Sequence, residues 1–124
     1  MRRSSATELG AALVTAVAER DFRRLGDTLA PDVRMRALIP PGPFEVRGAE
    51  SAAAKFATWF GGSEDLELVQ SGSDELGDRV HVFYRLHVQR SGEGRKVIEQ
   101  HLLCACDDGH ISDLDLVCSG FRPL

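Results

Sequence analysis

The chain has 124 residues, with 19 acidic and 15 basic side chains and a formal net charge of −4. That length fits one domain, residues 1–124, able to bury a core without disulfide or metal staples. No block of Lys or Arg is present to neutralise a run of phosphates, and no apolar stretch approaches the roughly 20 residues of a membrane span. Neither nucleic acid nor membrane is therefore an expected partner. Met1-Arg2-Arg3 is followed by no apolar signal segment, and the chain reads as cytoplasmic. Cys104, Cys106 and Cys118 are expected to be free thiols.

In chain order, Ser5-Ala6-Thr7-Glu8 has capping-box spacing and predicts a helix running to about Arg20, with Leu9, Leu13, Ala16 and Val17 on its apolar stripe. Asp21 can cap a second helix that presents Phe22, Leu25 and Leu29 and stops at Ala30-Pro31. Val33, Met35 and Ala37 alternate with arginines as a short strand. Ile39 to Gly48 holds three of the five prolines and predicts a stiff loop, a rim or lid. Ala49 to Phe60 is a third helix with Ala52, Ala53, Phe56, Trp59 and Phe60 buried, ended by Gly61-Gly62. Leu66 to Leu76 reads as a strand with a bulge near Gly72.

Three strand-like runs close the chain: Arg79 to Arg90, Arg95 to Cys106 and Ile111 to Phe121. The loop Ser91-Gly92-Glu93-Gly94 and the turn at Asp108-Gly109 are hairpin signals. With Arg90 facing Arg95 and Asp107 facing His110, the inward face reads Val80, Val82, Tyr84, Leu86 and Val88, then Val97, Glu99, His101, Leu103 and Ala105, then Ser112, Leu114, Leu116 and Cys118. Tyr84, Glu99 and His101 then sit together on an apolar face. There they either satisfy one another or line a cavity, because leaving them unsatisfied in an apolar environment would cost roughly a few kcal/mol.

Helices first and an antiparallel meander after them indicate an α+β domain. The order of elements resembles the nuclear transport factor 2-like (NTF2-like) superfamily and, within it, the SnoaL-like polyketide cyclases and ketosteroid isomerase-like proteins. The residues that carry the resemblance are Leu29-Ala30-Pro31-Asp32-Val33, the Val46-Arg47-Gly48-Ala49-Glu50 run into the third helix, and the Asp108-Gly109-His110-Ile111 turn. The resemblance implies a cone-shaped fold, with three N-terminal helices on a strongly curved, mainly antiparallel sheet and a pocket between them. Glu99-x-His101 is similar to the polar residue and histidine that SnoaL-type cyclases place on a pocket strand. The only tyrosine, Tyr84, does not match the early tyrosine of ketosteroid isomerases. Arg85 faces outward, away from any Asp-Arg-Asp arrangement of the epoxide hydrolase kind. Asp113 and Asp115 face outward unless a one-residue bulge turns them in.

On this reading His101 is the general acid or base, Glu99 fixes its tautomer, and the Tyr84 hydroxyl donates to a developing oxyanion. Met35, Phe44, Phe56, Trp59, Phe60, Val82, Leu86, Leu103, Leu114, Leu116 and Cys118 form the ligand-binding wall. The function is then binding of a small apolar molecule, with a cofactor-independent isomerase, cyclase or dehydratase as the enzyme reading. The alternative is a non-catalytic ligand-binding or dimerisation module. No cofactor is expected, and no metal, since Cys104-x-Cys106 near His81 lacks zinc spacing. His81, Phe83, Arg85, His87, Ile98, Leu102, Val117 and Phe121 are placed on the outer face, whose apolar area predicts a homodimer through that face.

Overall fold

A computed structural model describes residues 3–40 and 42–124; Met1, Arg2 and Pro41, the last within the expected proline loop, lie outside them. The fold is α+β. Helices α1 (Arg3–Glu19), α2 (Phe22–Asp27) and α3 (Ala49–Phe60) accompany β1 (Leu29–Leu38), β2 (Phe44–Arg47), β3 (Ser63–Leu76), β4 (Arg79–Arg90), β5 (Arg95–Asp107), β6 (His110–Cys118) and the short β7 (Arg122–Pro123). The sheet order is β2-β1-β6-β5-β4-β3, with β7 against β5; every pairing is antiparallel except β1 with β6.

Several boundaries differ from those expected, each for a local reason. The first helix already includes Ser5, so the residue is not its cap. Asp21 does cap α2, accepting from the Arg24 amide at 3.1 Å, but the helix stops at Asp27. The Thr28 hydroxyl donates to the Leu25 carbonyl at 2.7 Å, and the Thr28 carbonyl accepts from the Ile111 amide at 2.8 Å. That second bond starts β1 at Leu29 against β6. Pro31 is accommodated because the pairing slips between Leu29 and Arg34, where a missing N–H leaves no gap in the ladder. Within the expected loop, Phe44–Arg47 pairs with β1, Val46 opposite Met35 and Phe44 opposite Ala37. In β3 the irregularities fall at Ser63/Asp65 and Leu68/Gln70 rather than at Gly72. Gly72 lies under the Phe83 ring, where a Cβ would sit 2.6 Å from Cε1.

The core lies between the helices and one face of the sheet. Leu13, Ala16 and Val17 of α1, Leu25 of α2 and Ala52, Phe56 and Phe60 of α3 meet Val33 and Met35 of β1, the alternating set Val80 to Val88 of β4, Ile98 and Leu102 of β5, and Leu114 and Leu116 of β6. Period-two alternation in the strands and 3.6-residue spacing in the helices give each element one face for this layer. Among the described residues, no helix is long and apolar enough to cross a membrane.

Helix α1 approaches the sheet through Gly10. A Cβ there would lie 2.5 Å from Ser73 Oγ and 2.7 Å from Val82 Cγ2, and the neighbouring Ser73 hydroxyl donates to the Thr7 carbonyl at 3.0 Å. Alanine in place of glycine gains up to about 1 kcal/mol in helix propensity. The clash at this contact outweighs it, since overpacking costs about 1–3 kcal/mol. Gly10→Ala is therefore expected to lower the denaturant midpoint, and an unchanged or raised midpoint would show the contact to be soft.

Candidate functional site

The β4–β5 hairpin decides which side chains face the helices. Gln89, not Arg90, faces Arg95, so the turn holds five residues, with Gly92 at φ +76° and the Glu93 amide donating to the Arg90 carbonyl at 3.0 Å. The Gln89 side chain braces the turn by donating to the Glu93 carbonyl at 2.5 Å. Compared with a four-residue loop, every β5 residue moves to the other face. Tyr84 stands opposite Gln100, and His101 opposite Phe83.

The expected trio is thus divided between two faces. Glu99, His101 and Leu103, with Val97 and Ala105, lie on the outer side, while Ile98, Gln100, Leu102 and Cys104 line the core. The Asp107–His110 pairing and its Asp108-Gly109 turn form as expected, with φ of +53° and +78°. A one-residue bulge between Ala105 and Cys106 then shifts the ladder, so Ala105 pairs with Asp113 and Gln100 with Cys118. Its effect is to keep Leu114 and Leu116 inward against the shifted β5. Asp113 and Asp115 stay outside, bonded to Arg34 Nε at 2.9 Å and Arg36 Nε at 2.8 Å across the β1–β6 pairing.

What the inner face does hold is a hydrogen-bonded line of Tyr84, Gln100 and Cys118. The Tyr84 hydroxyl donates to Gln100 Oε1, and Gln100 Nε2 donates to Cys118 Sγ at 3.3 Å. Cys118 Sγ also accepts from the Gly120 amide at 3.3 Å. The line runs from the buried core to a cleft of about 370 Å³ lined by Ile39, Pro40, Trp59, Ile98, Cys118, Ser119, Gly120 and Phe121. Trp59 packs edge-on against Phe56 and Phe60, with centroids 5.2 and 6.2 Å away, and Phe121 sits 6.4 Å from Phe60. Of these aromatics, Trp59 and Phe121 line the cleft, and Phe56 and Phe60 are buried behind them.

Of the expected ligand wall, Trp59 and Cys118 reach this cleft. Met35, Phe56, Phe60, Val82, Leu86 and Leu114 are buried in the core, as is Leu116, which also touches the groove at Phe44. Phe44 lies on β2, under the Lys55 ammonium at 4.7 Å, and contributes to a separate apolar groove of about 430 Å³ with Leu38, Pro43 and Val117. Leu103 is outward. Gln100 is the site residue that the four-residue loop hides. The sign of it was the run Ile98, Gln100, Leu102, Cys104, a more consistently apolar set than one containing Glu99 and His101.

Burial pushes the Tyr84 phenol well above its ordinary value, helped by the Cys118 and Cys104 thiols. Burial likewise pushes Cys104 up to about 12, and raises Cys106. Outside, the His101 hydrogen bond and then the Arg85 hydrogen bond hold the Glu99 carboxyl below the usual range. Among the described residues, no group of three or more His, Cys, Asp or Glu side chains is set to hold a metal ion.

With this geometry in hand, comparison with known proteins is informative. The sequence matches the SnoaL-like domain family over residues 11–114, and the chain belongs to that family, within the NTF2-like superfamily. TsrD from Streptomyces laurentii is similar in fold at 22% identity and a TM-score of 0.75, covering 96% of this chain and 91% of its own. A candidate polyketide cyclase from Xanthomonas campestris pv. campestris matches at 21% identity and TM-score 0.74 over 93% of this chain and 90% of its own. An LEH-like epoxide hydrolase of M. tuberculosis matches at 18% identity and TM-score 0.68 over 94% and 84%. No curated protein sequence matches significantly. At these identities the solved structures share the fold, which hosts different chemistries.

The buried pair offers a direct test of its own energetics. Gln100→Leu strands the Tyr84 hydroxyl and is expected to cost about 1–3 kcal/mol, the penalty of an unsatisfied buried polar group. Adding Tyr84→Phe should restore part of the loss in a double-mutant cycle. Equal and additive losses in urea melts would mean that the two side chains are not coupled.

Proposed function

We propose that this SnoaL-like domain binds a small, largely apolar molecule at the Trp59–Cys118 cleft and performs no acid–base chemistry on it. The carrying observation is the character of the cone. Among the described residues, the buried ones with polar side-chain atoms are Thr28, Tyr84, Gln100 and the thiol of Cys104. Proton transfer next to a carbonyl needs a group that changes protonation near the working pH, normally a carboxylate or an imidazole. The cone has neither, and a phenol raised by burial and bonded to an amide is no base at neutral pH. Apolar walls with a few oriented polar groups suit binding instead. A ligand carbonyl or hydroxyl entering the cleft meets the Cys118 thiol and the Gly120 backbone.

Trp59 is the only tryptophan and it lines the cleft, so it serves as an internal reporter. Titration with 1-anilinonaphthalene-8-sulfonate is expected to give saturable energy transfer from Trp59, one probe per chain, abolished by Cys118→Phe. Absence of transfer, or transfer untouched by that variant, removes the cleft as the binding site. In parallel, deuterium exchange at the α-carbons of 2-tetralone should proceed at the buffer rate. Acceleration that Tyr84→Phe abolishes would establish an enzyme instead.

A second reading concerns the outer face and supports association of two copies. Leu38 and Val117 are 58% and 56% exposed there, beside Phe83 and Leu103, while Arg34, Arg36 and Arg85 are each paired with a carboxylate of the same chain. That internal neutralisation leaves little net charge to repel a second copy. Ile98 and Leu102, expected here, are buried in the core, and Phe121 packs on Phe60. Light scattering at micromolar concentration should give twice the chain mass, as for an interface that buries roughly 1,200–2,000 Å². Phe83→Glu should halve it. A wild-type mass of one chain defeats this reading.

A further inference from the structure

The outer face carries a connected row of polar side chains: Asp74 on β3, His81 and Arg85 on β4, and Glu99 and His101 on β5. Arg85 holds Glu99 Oε1 through Nε and Nη2, both at 2.9 Å, and His101 Nε2 lies 2.6 Å from Glu99 Oε2. The carboxylate places the His101 ring proton on Nε2 and leaves Nδ1 with its lone pair. That nitrogen points at His81 Nε2, 3.0 Å away. The other nitrogen of His81, Nδ1, faces Asp74 Oδ1 at 3.5 Å.

Each imidazole therefore has a carboxylate beside its outer nitrogen, and the two inner nitrogens face one another. When His81 carries its proton on Nε2, the proton fills the gap. When the proton sits on Nδ1 toward Asp74, two lone pairs converge on a space that only a cation makes attractive. A carboxylate on the far nitrogen of each ring is also the support that orients metal-ligating histidines and raises their basicity. Asp74 and Glu99 against Arg85 leave the surroundings with one excess negative charge.

We propose that His81 and His101 chelate one divalent transition-metal ion on the outer sheet face, of the copper(II) or nickel(II) kind. Neutral imidazole nitrogens suit this class of ion, and the order of divalent affinities favours copper(II) and nickel(II) over the earlier metals. The two nitrogens already lie 3.0 Å apart, within reach of one ion. The rings lie within 12° of parallel and each must turn about its Cβ–Cγ bond to aim at a common point. In the single chain both side chains are partly exposed, which permits the turn. Phe83, with its centroid 5.8 and 5.4 Å from the two rings, supports them on one side.

The test is calorimetric titration of the untagged full chain with Ni²⁺ at pH 7.5 in a non-chelating buffer; nickel avoids oxidation of the three thiols. One ion per chain is expected. His81→Ala and His101→Ala should each weaken binding at least about tenfold, and Glu99→Gln, which keeps both ligands, by about 10- to 100-fold. His110→Ala, remote from the pair, should change nothing. Wild-type binding no tighter than that of the His81→Ala/His101→Ala double variant overturns the proposal, as does loss of binding on His110→Ala. If either alanine variant fails to fold, His81→Gln and His101→Gln take its place in the nickel titration: weakening of at least about tenfold sustains the site, and unchanged binding refutes it.

Discussion

The five-residue turn between β4 and β5 is the constraint on which the chemistry of this molecule depends. A strand has only two faces, so one residue more or less in a hairpin loop exchanges everything its second strand presents. With Gln89 opposite Arg95, the core receives an amide, and the carboxylate and imidazole go to the other surface. The same backbone with a four-residue turn would place an ionisable dyad against Tyr84. An inward face with an ionisable dyad and one with a neutral amide are thus one residue apart on this scaffold.

The bulge at Ala105/Cys106 complements that turn. It breaks the register that the Asp108-Gly109 hairpin sets, and the Ser112 hydroxyl fills the irregularity by donating to the Ala105 carbonyl at 3.2 Å. Without it, the apolar faces of β5 and β6 would be out of phase, because Ile98, Leu102 and Cys104 share the core with Leu114 and Leu116 only after the shift. Turn and bulge are therefore two halves of one solution, and neither is stable in the core without the other.

The fold was readable because long-range consistency supports it at many points. Helical spacing in α1 and α3, the Asp21 cap and the Asp-Gly turn each specify their element locally. The site was not readable for a specific reason. On β5 the residues Val97, Leu103 and Ala105 are as apolar as Ile98, Leu102 and Cys104, so alternation separates the faces only through Glu99 and His101 against Gln100, a difference that a pocket reading cancels. The deciding information is the conformation of Gly92 and the brace from Gln89, neither of which has a distinctive residue pattern. β2 was hidden similarly, since its pairing depends on β1 rather than on its own proline-flanked residues.

The parallel seam between β1 and β6 also shapes how the chain reaches this structure. Arg34 and Arg36 meet Asp113 and Asp115 across a sequence separation of 79 residues. Such a pairing cannot form until nearly the whole chain is available, and contacts that close long loops slow folding. The meander β3 to β6, joined by short turns, can assemble first, leaving β6 with a free edge that β1 later covers. Until then that edge is open to any other extended chain, so the arginine–aspartate ladder also acts as the chain's means of choosing its own strand over a stranger's.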